Sequence, residues 1–194
     1  MKQVILITGT PCTGKTATAK KLAQKLNARY INLTDFANAH RLTTGEDKTR
    51  KTLIINETEM RKKLVETINT TENATVIIDG HYAAAVVPER CVSSLFVLRR
   101  NPIELRKFME MKGYQDTKLW ENLASEILDV SLVEALQQYG EDKVCELDAT
   151  GKTVEAVVTE ILTVINKNKK CHVGKVDWLG MLETRGLTDK YLKV

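Results

Sequence analysis

The stretch Gly9-Thr10-Pro11-Cys12-Thr13-Gly14-Lys15-Thr16 constrains this chain more than any other. It follows Val4-Ile5-Leu6-Ile7, a short apolar run with a β-branched bias. It precedes a helical pattern with Ala19, Leu22, Ala23 and Leu26 on one face. Strand, glycine loop and helix form the setting in which a loop can wrap phosphate. The loop N–H groups turn inward onto anion oxygens, and the helix aims the positive end of its dipole at the same point. Lys15 would then reach the β- and γ-phosphates, and the Thr16 hydroxyl would hold Mg²⁺. Gly9 and Gly14 supply backbone conformations that a side chain would block. Gly9, Cys12, Thr13, Gly14, Lys15, Thr16 and Ala17 are therefore the expected ATP-binding residues. Cys12 stands where such loops often carry glycine. Its N–H can still bind phosphate, but its thiol must point away.

The rest of the chain alternates strands with helices. After the loop helix (about 15–26) come a short strand at Arg29-Tyr-Ile-Asn32 and a helix at 34–41 capped by Thr34. Residues 42–51 read as a polar loop. A helix over about 57–69 leads to Ala74-Thr-Val-Ile-Ile78, a buried strand ending in Asp79. Leu95-Phe-Val-Leu98 is another central strand, followed by Arg99, Arg100 and the Asn101-Pro102 helix start. That helix stops at Gly113. A long helix is predicted over about 116–139, a last strand at 143–147 and a closing helix at about 153–167. This order predicts an α/β three-layer sandwich, a five-stranded parallel sheet covered on both faces. In such folds ligands sit at the carboxyl ends of the strands.

A chain of 194 residues suits one domain with an appendage. The domain is expected over 1–167, with residues 168–194 as a C-terminal extension. That extension reads as a tail packed through Trp178, with a partner-binding role as the sharper alternative. The formal charge of +4 permits an anionic partner without requiring one. Cys12, Cys91, Cys145 and Cys171 are widely spaced and form no CxxC pair, so all four read as reduced thiols of a cytoplasmic or nuclear protein. No membrane association and no direct DNA binding are expected.

Asp79 is the second chemical element. Val76, Ile77 and Ile78 run into it, which brings its carboxylate beside the glycine loop to hold Mg²⁺ with Thr16. Arg99, Arg100, Arg106, Lys107 and Lys112 are candidate cations for the transferred phosphoryl group. Lys112 stands apart, because it abuts Gly113 in a short turn able to fold over ATP. Residues 32–56 offer Asp35, Arg41, Lys48, Arg50 and Lys51 to an acceptor, the role that this region has in nucleoside monophosphate kinases; Asp35, Arg41 and Arg50 are the candidates to bind it. A monophosphate acceptor needs cations but no general base, because its attacking oxygen is already ionised. The absence of an obvious base therefore fits a nucleotide better than an alcohol. Asn166-Lys-Asn-Lys169 is not a guanine-reading motif. Thr150-Gly-Lys-Thr153 has Glu146 where a second phosphate loop needs glycine, though Lys152 could line the adenine pocket. His81 reads either as a hydrogen-bonded strand-end histidine or as a group orienting water or phosphate beside the metal.

Several motifs together resemble the adenylate kinase isoenzyme six family. They are Gly-Thr-Pro-x-x-Gly-Lys-Thr at 9–16, the Asp79-x-His81 pair and Pro88-Glu89-Arg90. Phe96-Val-Leu-Arg99, Lys112-Gly-Tyr114 and Asn122-x-x-x-Glu126-Ile127 extend the likeness over about residues 3–165. The resemblance implies a nucleoside monophosphate kinase fold, with an acceptor-binding segment at about 32–55 and a short lid at about 111–121. It implies reversible phosphoryl transfer between ATP and AMP, with Lys15, Asp79, His81 and Lys112 as catalytic residues. It also implies slow ATP hydrolysis and a small-subunit ribosomal protein as partner, in small ribosomal subunit maturation and rRNA processing. That tips His81 toward a functional role. Lys112 stands where the family commonly has arginine, which keeps the charge but loses the bidentate fork. Two other readings remain: an ATP-switched assembly factor with little kinase activity, and a kinase for another small metabolite.

Overall fold

The computed structural model describes residues 2–47, 52–166 and 171–193. Seven strands, ten α-helices and one short 3-10 helix (Glu89–Cys91) follow in chain order among them. β1 (Gln3–Thr8) leads through the glycine loop into α1 (Lys15–Leu26), then β2 (Arg29–Asn32) and α2 (Leu33–Ala39). A hairpin, β3 (Thr43–Asp47) and β4 (Thr52–Ile55), precedes α3 (Glu57–Thr70) and β5 (Thr75–Asp79). α4 (Ala83–Val86), β6 (Ser94–Arg99) and α5 (Pro102–Met111) come next. They are followed by α6 (Asp116–Ile127), α7 (Val130–Tyr139), β7 (Val144–Asp148) and α8 (Val154–Ile165). α9 (Trp178–Thr184) and α10 (Thr188–Tyr191) form the C-terminal extension.

The main sheet has the order β2-β5-β1-β6-β7, and every pairing in it is parallel. Its strands are apolar on both faces because helices cover both. Side chains alternate: Val4, Leu6, Val76 and Ile78 pack with Met60 and Leu64 of α3 and Leu132 of α7. Ile5, Ile7, Ile77 and Phe96 pack on the other face with Leu22 of α1 and Val158 and Ile161 of α8. From β1 the chain runs outward past β5 to β2, returns through β5 and then crosses β1 to reach β6, so the strand order reverses beside β1. The glycine loop sits at the carboxyl end of β1, at that reversal.

Several predicted boundaries are corrected. α2 starts one residue early, and its cap is Asn32, whose Oδ1 accepts from Asp35 N at 3.0 Å; Thr34 lies inside the helix. Residues 43–47 pair with β4 and are not a loop. The predicted helix over 116–139 is two helices, broken where Asp129 takes φ +59°. Arg99 explains the break: its Nη2 donates to Glu126 O at 2.8 Å and to the Asp129 carboxylate, holding the chain out of helical geometry.

The cysteine reading is also corrected. Cys145 and Cys171 form a disulfide, while Cys12 and Cys91 are free. The chain after α8 returns alongside β7, where Glu146 N donates to His172 O, and this brings the two cysteines together. Arg50 and the neighbouring cations Lys48 and Lys51 lie outside the described residues. No helix among the described residues is long and apolar enough to cross a membrane.

Candidate active site

The glycine loop owes its shape to three left-handed or extended positions. Gly9 has φ +136°, and a Cβ there would lie 2.4 Å from Leu98 O, so β6 packs against bare backbone. Gly14 has φ +101° and starts α1. Cys12, at φ +72°, holds the conformation that suits glycine best. Its side chain packs beside the cluster of Leu105, Met109, Leu119 and Leu123, and burial pushes its thiol pKa up against the pull of Lys112 and Lys15. Thr13 Oγ1 donates to Thr10 O at 2.9 Å and closes the turn. No side chain caps the start of α1, so its first N–H groups are left for an anion.

A cavity of about 790 Å³ opens above this loop. The loop side contributes Cys12, Gly14, Lys15, Thr16 and Ala17. The opposite wall is Asn32, Thr34, Asn38 and Ile55. Asp79, Gly80, His81 and Tyr82 form the floor, and Lys112, Tyr114, Lys118 and Asn122 close the third side. Lys15 lines the cleft, and its Nζ donates a hydrogen bond to Thr10 O at 3.3 Å. Burial pulls its pKa down to about 8, against the attraction of Asp79.

Asp79 is fully buried and fully partnered. Thr16 Oγ1 donates to its Oδ2 at 2.7 Å; the Tyr30 hydroxyl (2.7 Å) and Asn32 Nδ2 (3.1 Å) donate to its Oδ1. Desolvation and the Asp79 hydrogen bond push the Tyr30 phenol above its ordinary pKa, so it stays a donor. Gly80 lets α2 approach: a Cβ there would meet Leu33 Cδ1 at 2.6 Å. A hydroxyl and a carboxylate at hydrogen-bond distance, beside a phosphate loop, fit a small hard cation such as Mg²⁺. The described residues hold no cluster of three or more acidic, histidine or cysteine ligands. This donor pair thus suits a cation that takes its other ligands from phosphate and water.

His81 opens onto the cavity, with its ring edge-on to Tyr82 at 5.0 Å. Burial first, then Lys15 and Lys118, push its pKa down to about 4. A neutral imidazole there can donate and accept a hydrogen bond at once, and it adds no charge to a phosphate site.

The predicted cations divide sharply. Of Arg99, Arg100, Arg106, Lys107 and Lys112, Lys112 alone lines the cavity. Arg99 is buried and locked to Glu126 (2.9 Å), Glu146 (2.7 Å) and Asp129. Burial opposes its charge, but Glu126 and Asp129 outweigh it and raise its pKa. Arg100 pairs with Glu104 and reaches the loop backbone at Thr13 O (3.3 Å), so it braces the loop from behind. Arg106 pairs with Glu110 and lies 5.0 Å over the Trp120 ring. Lys152 pairs with Glu160 at 2.7 Å and is not part of the cavity wall. Gly9 and Thr13 shape the loop from beneath. Asp35 and Arg41 are exposed outside the wall, and Thr34 and Asn38 occupy it instead.

Sequence reasoning missed Tyr30 and Asn32 as partners of Asp79. The parallel register that sets Asn32 opposite Asp79 leaves no local signature. The one available signal was a polar residue ending a strand, just before a helix.

Residues 5–129 match the family described as "AAA domain". This chain belongs to that family. A protein of Pyrococcus furiosus named "Putative adenylate kinase" is 38% identical over 180 residues, covering 93% of each chain. A protein of the same name from Thermococcus kodakarensis is 39% identical over 175 residues, 90% of this chain and 92% of that one. Among solved structures, shikimate kinase from Acinetobacter baumannii superposes with a TM-score of 0.59 at 14% identity, covering 87% of this chain and 96% of that one. Thymidylate kinase from Candida albicans gives 0.51 at 15%, covering 86% and 92%. The fold is thus that of the P-loop kinases, as its strand order indicates.

Proposed function

We propose that this protein is an adenylate kinase, converting ATP and AMP reversibly to two ADP. One observation carries the reading: a single cavity has the phosphate loop with Lys15, Thr16 and Asp79 on one side and the β2–α2 wall on the other. Two nucleotides can meet end to end across it. The relatives named for this activity, similar over nine-tenths of the chain, support the choice of AMP.

In this reading an AMP phosphate oxygen, already ionised, attacks the γ-phosphorus of ATP. The bond from that phosphorus to the β-bridging oxygen breaks, and ADP leaves on each side. No proton has to move, which suits a site whose one histidine is neutral. The loop N–H groups and Lys15 hold charge on the transferred group, and bound phosphate favours the charged form of Lys15. Mg²⁺, held by Thr16 and Asp79, would neutralise phosphate charge and align it. Lys112 at the end of α5 and Lys118 in the first turn of α6 supply cations, both within the proposed lid at about 111–121. Thr34 and Asn38 face the acceptor, within the acceptor segment at about 32–55. The decisive test supplies ADP and Mg²⁺ alone and follows ³¹P NMR. Equal amounts of ATP and AMP support the reading; inert ADP overturns it.

A second reading rests on the Asp79-Gly80-His81 floor and the resemblance it carries. There the protein hydrolyses ATP slowly and binds a small-subunit ribosomal protein in a nucleotide-dependent way. The neutral His81 imidazole is suited to orient a water molecule. Phosphate release without AMP, lost in His81→Ala but with ADP disproportionation intact, would favour it.

A further inference from the structure

Both ends of the Asn32 carboxamide are engaged, and they serve different halves of the cavity. Oδ1 accepts from Asp35 N at 3.0 Å and caps α2. Nδ2 donates to Asp79 Oδ1 at 3.1 Å. The chemistry fixes which end is which, because a backbone N–H needs an acceptor and a carboxylate needs a donor. Serine and aspartate also cap helices well. Neither places an acceptor and a donor on separate atoms, as this site requires. Asn32 stands opposite Asp79 in the parallel register of β2 and β5, and its side chain lines the cavity. Tyr30 holds the same Asp79 oxygen at 2.7 Å, which leaves Oδ2 turned toward Thr16.

We infer that Asn32 is a positioning residue that couples the acceptor wall to the metal-and-phosphate side of the cavity. A ligand seated against Thr34 and Asn38 stiffens the first turn of α2. The side chain that caps this turn then holds the Asp79 carboxylate in its working orientation. Occupancy of one half thereby prepays ordering in the other. The inference rests on the reading that the acceptor sits against α2. Tyr30 grips Asp79 directly and reaches α2 only by way of Asn32, so removing its hydroxyl loosens the carboxylate but leaves the Asn32 arm between Asp79 and the cap in place.

The test is calorimetric binding of a non-hydrolysable ATP analogue with Mn²⁺, with and without AMP. Wild type, Asn32→Ser and Tyr30→Phe are compared, with melting temperatures of the nucleotide-free proteins alongside. Serine keeps the cap and loses the arm to Asp79. In wild type, AMP tightens analogue binding about fivefold or more. In Asn32→Ser that factor falls toward one, with the melting temperature little changed. In Tyr30→Phe the analogue binds more weakly, but by the same ratio with and without AMP. An undiminished AMP effect in Asn32→Ser overturns the coupling. So does a loss of analogue affinity equal in both conditions, which marks a structural role. If AMP leaves the wild type unaffected the coupling fails; if AMP also shows no binding heat alone, the acceptor reading fails with it.

Discussion

The indole Nε1 of Trp178 donates to Glu126 Oε1 at 3.0 Å. The same oxygen accepts from Arg99 Nε and Arg100 N, both at 2.9 Å. Glu146 completes the arrangement: its Oε1 meets Arg99 and its Oε2 accepts from Lys175 N at 2.8 Å. One buried charge network thus ties the C-terminal extension to α6, to the end of β6 and, through Arg100, to the phosphate loop. Leu182 and Tyr191 add an apolar contact with Ile127. Trp178, Leu182 and Tyr191 thus hold α9 and α10 against α6. Trp178→Phe removes one donor of three and is expected to cost about 1 kcal/mol in urea denaturation. Trp178→Ala also opens a cavity and is expected to cost about 3–5 kcal/mol. Equal stability of the alanine variant would contradict this role.

Lys15→Ala separates function from stability. Burial disfavours the charged amine, so its removal does not lower the melting temperature near neutral pH, where the wild-type lysine carries that cost. Transfer activity is expected to fall at least about 10²–10³-fold. A variant that unfolds, or that keeps most of its activity, contradicts the assignment.

Among three histidines, His81 is expected to stay neutral to about pH 4 in the metal- and nucleotide-free protein. Its folded value lies below the unfolded one, so the unfolded chain takes up the proton first. The resulting stability is present above about pH 6.5 and is lost as pH falls through 6.5 toward 4; it is small, because His81 is exposed at the cavity and solvent screens it. Histidine NMR titration reads this directly. A His81 midpoint near 6.5 would count against the burial argument.

Gly9→Ala meets Leu98 O at 2.4 Å with a backbone angle that alanine rarely adopts. We expect a loss of more than about 2 kcal/mol and of nucleotide binding. A stable, nucleotide-binding variant would mean that β6 can retreat from the loop.

The disulfide is checked by thiol counting: in denaturant without reductant, two of the four cysteines should react. Cys145→Ser is expected to cost about 3 kcal/mol, from the 26-residue separation it leaves unclosed. Four reactive thiols would restore the reading of reduced cysteines.

What the sequence showed, and what it hid, follows from the range of the forces involved. The loop, the strand into Asp79 and the Asn101-Pro102 helix start are local, and each was readable from a few residues. Arg99 looked like a phosphate cation because its place at a strand end fits that role. Its three acidic partners are 27, 30 and 47 residues away, and no window of sequence joins them. The same distance hid the break at Asp129 and the pairing of Cys145 with Cys171. Asn32 was hidden by register, since its partner belongs to a strand 47 residues on.

The most direct measurement mixes the protein with Mg²⁺-ATP, with and without AMP, and separates the nucleotides by chromatography. The account predicts AMP-dependent ADP, two molecules for each ATP consumed, lost in Lys15→Ala. ADP and inorganic phosphate forming at one slow rate regardless of AMP would contradict it and leave an ATPase.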